Sequence, residues 1–299
     1  MKTTFNVSWT RFVPMIGYHH VLMMVSMSAI ILLSILLAGC TTSDSLSNVY
    51  LLSLRYTNNS EAATKPAQVS TMIQSAVYNV SQTNSGSTFE VRAGYMGLCI
   101  SQGDVGRVCS SNAKILANIV KAEKTSSATG NLTTESSPDP LNLIMIAEEF
   151  RTKIVFDGLL YIAIILAFAC FILLSTFPGW HSETSAGGSD VEVKPFPSRV
   201  VSQVALCLIS FSFAFVSISV LWQHINSSST ASMAETLTYG AVSGHVGTAA
   251  MVLGWFAVGL IGVATIGLLI MIMSISLLIR MTDGSDVSYA EYIHSDDED

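Results

Sequence analysis

Charge is what this chain has least of. Only 12% of its 299 residues are Asp, Glu, Lys or Arg, while 50% are hydrophobic; soluble globular domains carry about 25% charged residues. The shortage is concentrated. Residues 16–39, 200–222 and 246–279 contain no charged side chain, and 154–177 contains only Asp157. An ordinary soluble domain is thereby excluded in favour of the membrane class. Positive charge is scarcest, with 14 Lys+Arg against 21 Asp+Glu. No basic patch forms, so nucleic acid is not an expected partner. The sequence also lacks G-x-S-x-G, H-E-x-x-H, C-x-x-C and P-loop patterns, and no stretch resembles a calcium-binding loop. No catalytic, cofactor or metal residue is assigned, and an enzyme is not expected.

What is present is four long apolar runs. About 20 apolar residues cross a bilayer core, so the chain divides into an N-terminus (1–15), four spans (16–39, 154–177, 200–222 and 246–279), a large first loop (40–153), short loops (178–199 and 223–245) and an acidic tail (280–299). The last run is long for one crossing, at about 51 Å for 1.5 Å per residue, and must tilt or protrude. Leu37-Ala38-Gly39-Cys40 also matches a lipobox after a signal peptide. That alternative is disfavoured by an apolar stretch longer than a signal h-region and by the three runs that follow.

The first loop is too long for a mere connection and reads as a small domain. Asn48–Tyr56 and Phe89–Ile100 read as strands, Thr71–Val80 as strand or helix, Ser110–Lys124 as a helix, and Ser126–Pro140 as an exposed linker. Of five cysteines, Cys170 and Cys207 lie in apolar runs and Cys40 at the end of one. Cys99 and Cys109 sit together in polar sequence, where a disulfide makes sense in an oxidising compartment. Closing so short a loop is worth roughly 2–3 kcal/mol by chain entropy.

Two patterns orient the chain. Asn-x-Ser/Thr acceptors at Asn58, Asn79, Asn131 and Asn226 fall in the first or third loop and are candidate glycosylation sites; Asn6 also matches but lies before the first run. Lys2, Arg11, Lys194, Arg199 and Arg280 lie on the opposite side, and 223–245 has no Lys or Arg. Both termini are therefore expected in the cytoplasm, with the two sequon-bearing loops outside.

Gly94-Tyr95-Met96-Gly97-Leu98-Cys99, with Cys109 beyond, resembles the Gly-Φ-Φ-Gly-x-Cys…Cys motif of the claudin superfamily. Claudins of animals usually have Trp before the first cysteine, where this chain has Leu98. Together with Ala38-Gly39-Cys40 leading to Tyr50–Tyr56, the motif most resembles the fungal calcium-regulator and membrane-fusion family induced in mating; the Pali-like group shares the superfamily motif. The resemblance implies a claudin-like four-transmembrane-helix bundle, all-α in the membrane, with a small β-containing extracellular domain in the first loop, whose Gly94 and Gly97 let strands approach closely around the disulfide. It implies a plasma-membrane protein at the mating projection or contact site that promotes low-affinity calcium influx and cell fusion, with calcium-channel or fusion-machinery partners. The alternative is a structural organiser of membrane domains or cell contacts.

Rings of acids or carbonyls make a cation-selective pore, and the runs offer only Asp157. This intramembrane polar residue is a functional candidate by default; its plainer roles are to cap the helix or pair with Arg151 or Lys153. The scattered loop acids Asp104, Glu148 and Glu149 form no site. His19, His20 and His245 read as interfacial. Small residues at Ala250, Gly254, Gly259, Gly262 and Gly267 favour close helix packing within the chain, or self-association. A regulator embedded in the lipid bilayer is expected rather than a self-contained pore.

Overall fold

The computed structural model describes residues 18–41, 46–57, 89–102, 105–127, 139–176, 181–184, 190–193, 199–238 and 240–295. Asn58, Asn79, Asn131, Asp104 and the Thr71–Val80 segment lie outside them. Four helices are long and apolar enough to cross a membrane: α1 (Tyr18–Leu37), α4 (Gly158–Ser175), α5 (Arg199–Leu237) and α6 (Thr248–Ser295). The described residues are mostly helical, with a small sheet, and the apolar helices make this a membrane protein.

The chain divides into two compact units. The first is Met1–Ile30, Ala163–Ala214 and Gly259–Asp299. Its helices are locked by small residues and by polar atoms that bond to backbone. Ser212 Oγ donates to the Ala163 carbonyl (2.8 Å), and Tyr18 Oη to that of Gly267 (3.2 Å). A Cβ at Gly262 would lie 3.1 Å from the Phe213 ring, and one at Gly267 2.6 Å from Leu22. These glycines are occupied by helices of the same chain, which is ordinary packing. The run 178–199 carries a hairpin of β5 (His181–Thr184) and β6 (Asp190–Val193). Residues 280–295, read as an acidic tail, continue α6.

The second unit, Ile31–Ile162 and Phe215–Val258, contains an antiparallel five-stranded sheet. Its strands are β1 (Leu52–Tyr56), β2 (Glu90–Ala93), β3 (Leu98–Gln102), β4 (Val105–Ser110) and β7 (Val242–Val246), in the order β4-β3-β2-β1-β7. Phe89–Ile100 is thus two strands. The turn between them is closed by Gly94 N–H donating to the Gly97 carbonyl at 2.9 Å. The polar run 223–245 is likewise ordered: α5 continues fifteen residues past Trp222, and after Gly240 (φ 82°) the chain enters β7. Left-handed backbone favours glycine at that corner. Gln223, Ser227 and Ala231 recur every four residues on the buried face of this extension. A Cβ at Gly244 would sit 2.6 Å from Ala231 Cα, so the glycine lets β7 lie against the helix.

Period-two alternation gives the sheet one apolar face. Leu52 and Leu54 face Ala93 and Val91, which face Leu98 and Ile100, and all six are buried. Helix α3 (Leu143–Glu149) packs against β1, β2 and β3 through Leu143, Ile144 and Ala147. Helix α2 (Ala113–Ser127) contacts β4 and α3. A buried carboxylate fastens α3. Asp139 accepts from Tyr56 Oη (2.7 Å) and from the backbone N–H groups of Leu143 (2.8 Å) and Ile144 (3.1 Å). It therefore satisfies two orphan donors at the helix start and ties them to β1.

Asp139→Ala leaves three buried donors without an acceptor. It should lower stability by about 2–4 kcal/mol, and Asp139→Asn by less. Thermal unfolding of the purified protein in detergent checks this; equal melting of wild type and Asp139→Ala would rule the clamp out.

Candidate functional site

The candidate site is the turn Gly94–Gly97 and what it rests on. Helix α1 ends at Leu37, and the chain turns sharply through Gly39 and Cys40, the latter left-handed at φ 59°. Thr41 Oγ1 donates to the Ala38 carbonyl (2.7 Å), holding this corner. The Gly94–Gly97 turn sits directly on it. A Cβ on Gly94 would fall 2.4 Å from the Gly39 oxygen, and one on Gly97 1.9 Å from the Cys40 oxygen. Real Cβ atoms do not approach that closely, so both positions exclude every side chain. The glycines admit the end of α1 rather than a neighbouring strand, which changes the role the resemblance implies for them.

Beside this contact Cys99 and Cys109 are joined by a disulfide between directly opposed residues of β3 and β4, with Cα atoms 4.0 Å apart. Cys40 stays a free thiol, fully buried next to them. Burial pushes it up to about 12, against the charges of Arg92 and Arg107. So protonated a thiol is a poor nucleophile.

The second face of the sheet is polar, and sequence reading missed it. Ser53 Oγ donates to Glu90 Oε1 (2.6 Å), and Arg92 Nε donates to the same oxygen (2.8 Å). Arg92 Nη1 and Arg107 Nη1 both donate to Asn48 Oδ1, at 3.0 and 2.8 Å. They also bond to Ser47, Arg92 at its carbonyl and Arg107 at its hydroxyl. Arg92 lies 4.7 Å above the Tyr50 ring, a cation–π contact. The segment after α1 is thereby stapled across three strands. Glu90 and Arg92 alternating in one strand was the available signal; their long-range partners were not visible.

Tyr95, between the two glycines, is buried and donates from its hydroxyl to Gln223 Oε1 on α5. Gln223 Nε2 and Ser227 Oγ are buried beside it without a protein partner. Phe150–Ile154 forms a π-helical turn after α3, and Val155–Asp157 is non-helical before α4, with Val155 extended. The apolar run that begins at Ile154 therefore becomes helix only at Gly158. The Asp157 carbonyl accepts from the N–H groups of Leu160 and Tyr161. Neither expected cation pairs with the Asp157 side chain. Lys153 pairs with Glu149, and Arg151 Nη1 donates to the Met96 carbonyl at 3.0 Å. Asn226 lies within α5, its amide donating to the Trp222 carbonyl at 2.9 Å. His245 is on β7, and His19 and His20 begin α1 with ring centroids 4.1 Å apart. Among the described residues no group of three or more His, Cys, Asp or Glu is placed to hold a metal ion.

Residues 76–274, about two thirds of the chain, match the family described as Ca2+ regulator and membrane fusion protein Fig1. The chain belongs to the Fig1 family. No curated protein and no solved structure matches it. The family's description is that of a regulator of Ca2+ and a membrane fusion protein rather than an enzyme. The match takes in the Gly94–Gly97 turn, the disulfide and β7, and ends within α6. In this Fig1 family member the turn, the clip and the charged staple form one connected structure.

Two predictions test that structure. Gly97→Ala should prevent the turn from seating on Cys40 and abolish the monodisperse folded peak in size exclusion. Gly106→Ala, where a Cβ would meet nothing within 4 Å, should melt within about 0.5 kcal/mol of wild type. Identical behaviour of the two variants would refute the packing argument. The second concerns pH. Burial raises the Glu90 carboxyl, but hydrogen bonds from Arg92 and Ser53 and the charges of Arg92 and Arg107 outweigh it and hold it below its usual 4.5. A depressed carboxyl stabilises the fold above the unfolded value and loses that contribution as pH falls through the folded one. Melting temperature should therefore drop as pH is lowered below about 4.5, with a shallower slope in Glu90→Gln; parallel curves for the two proteins would exclude Glu90 as the source.

Proposed function

We propose that this protein is a plasma-membrane regulator of low-affinity calcium influx and of cell fusion during fungal mating. Its termini would lie in the cytoplasm and its disulfide-clipped sheet outside, in a claudin-like architecture. The family match over residues 76–274 carries this reading. Four apolar helices and an antiparallel sheet built largely from the first loop support the architecture. The apolar stretches supply no ring of charge that would select a cation, so the protein acts on calcium entry through channel or fusion-machinery partners rather than as the pore. Asn58, Asn79, Asn131 and Asn226 are its candidate glycan acceptors.

The same apolar stretches favour a second reading, an organiser of membrane domains or cell contacts without a direct role in calcium entry. Calcium accumulation in pheromone-treated cells separates the two. It is compared among wild type, a deletion, and Cys99→Ser/Cys109→Ser confirmed at the cell surface. Influx should fall in both mutants. Unchanged influx with failed fusion would replace the calcium regulator by the contact organiser.

A further inference from the structure

A groove of about 700 Å³ opens within the sheet-bearing unit, beside the segment that precedes Gly158. Its size falls in the roughly 300–1,000 Å³ range of small-molecule sites. Thr41, Ser111 and Thr152 supply hydroxyls to its wall, Met96 and Val155 supply apolar surface, and Arg151 and Asp157 supply charges of opposite sign. Arg151 uses one N–H on the Met96 carbonyl. A guanidinium has five N–H donors in a planar fork that matches phosphate oxygens. The Asp157 carboxylate has no hydrogen-bond or ion-pair partner among the described residues, although it stands at the mouth of an apolar helix. An unpaired carboxylate at the level of the headgroups is complementary to an ammonium group.

The depth of the groove is marked independently. Phe156, next to Asp157, is 58% exposed, and Trp222 is 54% exposed with its indole N–H donating to the Ile154 carbonyl at 3.2 Å. An exposed tryptophan at the end of an apolar run sits at the level of lipid headgroups. Residues 154–157 therefore lie where phosphate and ammonium groups of the bilayer are. We propose that this groove holds the headgroup of a zwitterionic phospholipid, with Arg151 on the phosphate and Asp157 on the ammonium group. Phosphate and amine recognition by opposite charges distinguishes such a lipid from an anionic one, which would meet Asp157 with nothing to neutralise it. The lipid binds without covalent change and couples the Met96 turn to the membrane surface through Arg151.

The test uses the full chain purified in mild detergent and equilibrated with phosphatidylcholine or phosphatidylglycerol vesicles, with retained lipid counted by native mass spectrometry. Phosphatidylcholine should be retained about ten- to a hundredfold over phosphatidylglycerol, the cost of losing one charge-assisted contact. Arg151→Gln and Asp157→Asn should each lower its retention by a similar factor. Val155→Trp, which fills the groove and leaves both charges in place, should do the same in a variant whose elution and melting match wild type. Soluble phosphocholine should compete and inorganic phosphate should not. Equal retention of the two lipids, or retention unchanged in all three variants, overturns the proposal. Displacement by inorganic phosphate as effective as by phosphocholine overturns it in favour of a plain anion site.

Discussion

The close approach of two backbones, Gly39–Cys40 at the end of α1 and the Gly94–Gly97 turn, is the constraint on which the sheet-bearing unit depends. No side chain fits at either glycine of the turn, because a Cβ there would overlap a carbonyl oxygen. Once the turn is seated, everything near it has one place to go. Tyr95 is directed into α5, where its hydroxyl meets Gln223. β3 starts at Leu98, so that Cys99 lies opposite Cys109. The disulfide then holds the β3–β4 hairpin, and the glycine-cysteine pattern of this chain reflects how a helix end is packed.

The sheet solves two problems with its two faces. The apolar face buries Leu52, Leu54, Val91, Leu98 and Ile100 under α3, in the usual alternation of a half-covered antiparallel sheet. The polar face cannot be left to collapse, and Glu90, Arg92 and Arg107 use it to hold the Ser47–Asn48 segment. Asp139 and Tyr56 do for α3 what the arginines do for that segment: each brings chain distant in sequence to a strand through a charged hydrogen bond. Such bonds are stronger than neutral ones, which suits a small sheet with few strands to share the load.

At the opposite sheet edge, β7 depends on a helix that does not stop where its apolar residues stop. Trp222 ends the apolar run, but Gln223, Ser227 and Ala231 keep a buried stripe at helical spacing for about two further turns of the extension. That extension brings the chain to Gly240, and the return strand pairs with β1. In this Fig1 family member, helix and sheet elements far apart in the chain thus pair and pack together.

Hydropathy, composition and periodicity alone determined that the chain has four candidate spans, which cysteines stand in polar sequence, and that Ser110–Lys124 holds a helix, which runs Ala113–Ser127 in the structure. These are local properties: an apolar run of bilayer length, the surroundings of a thiol, and a 3.6-residue period are each visible without knowing any partner. The two glycines were also conspicuous, but not their reason, since the Cβ clash involves residues 39 and 40, more than fifty positions away. The division of Phe89–Ile100 into two strands, the strand at Val242–Val246 and the separation of Asp157 from Arg151 and Lys153 were decided by tertiary structure. In each case a residue had several acceptable local partners, and only packing against distant chain selected among them.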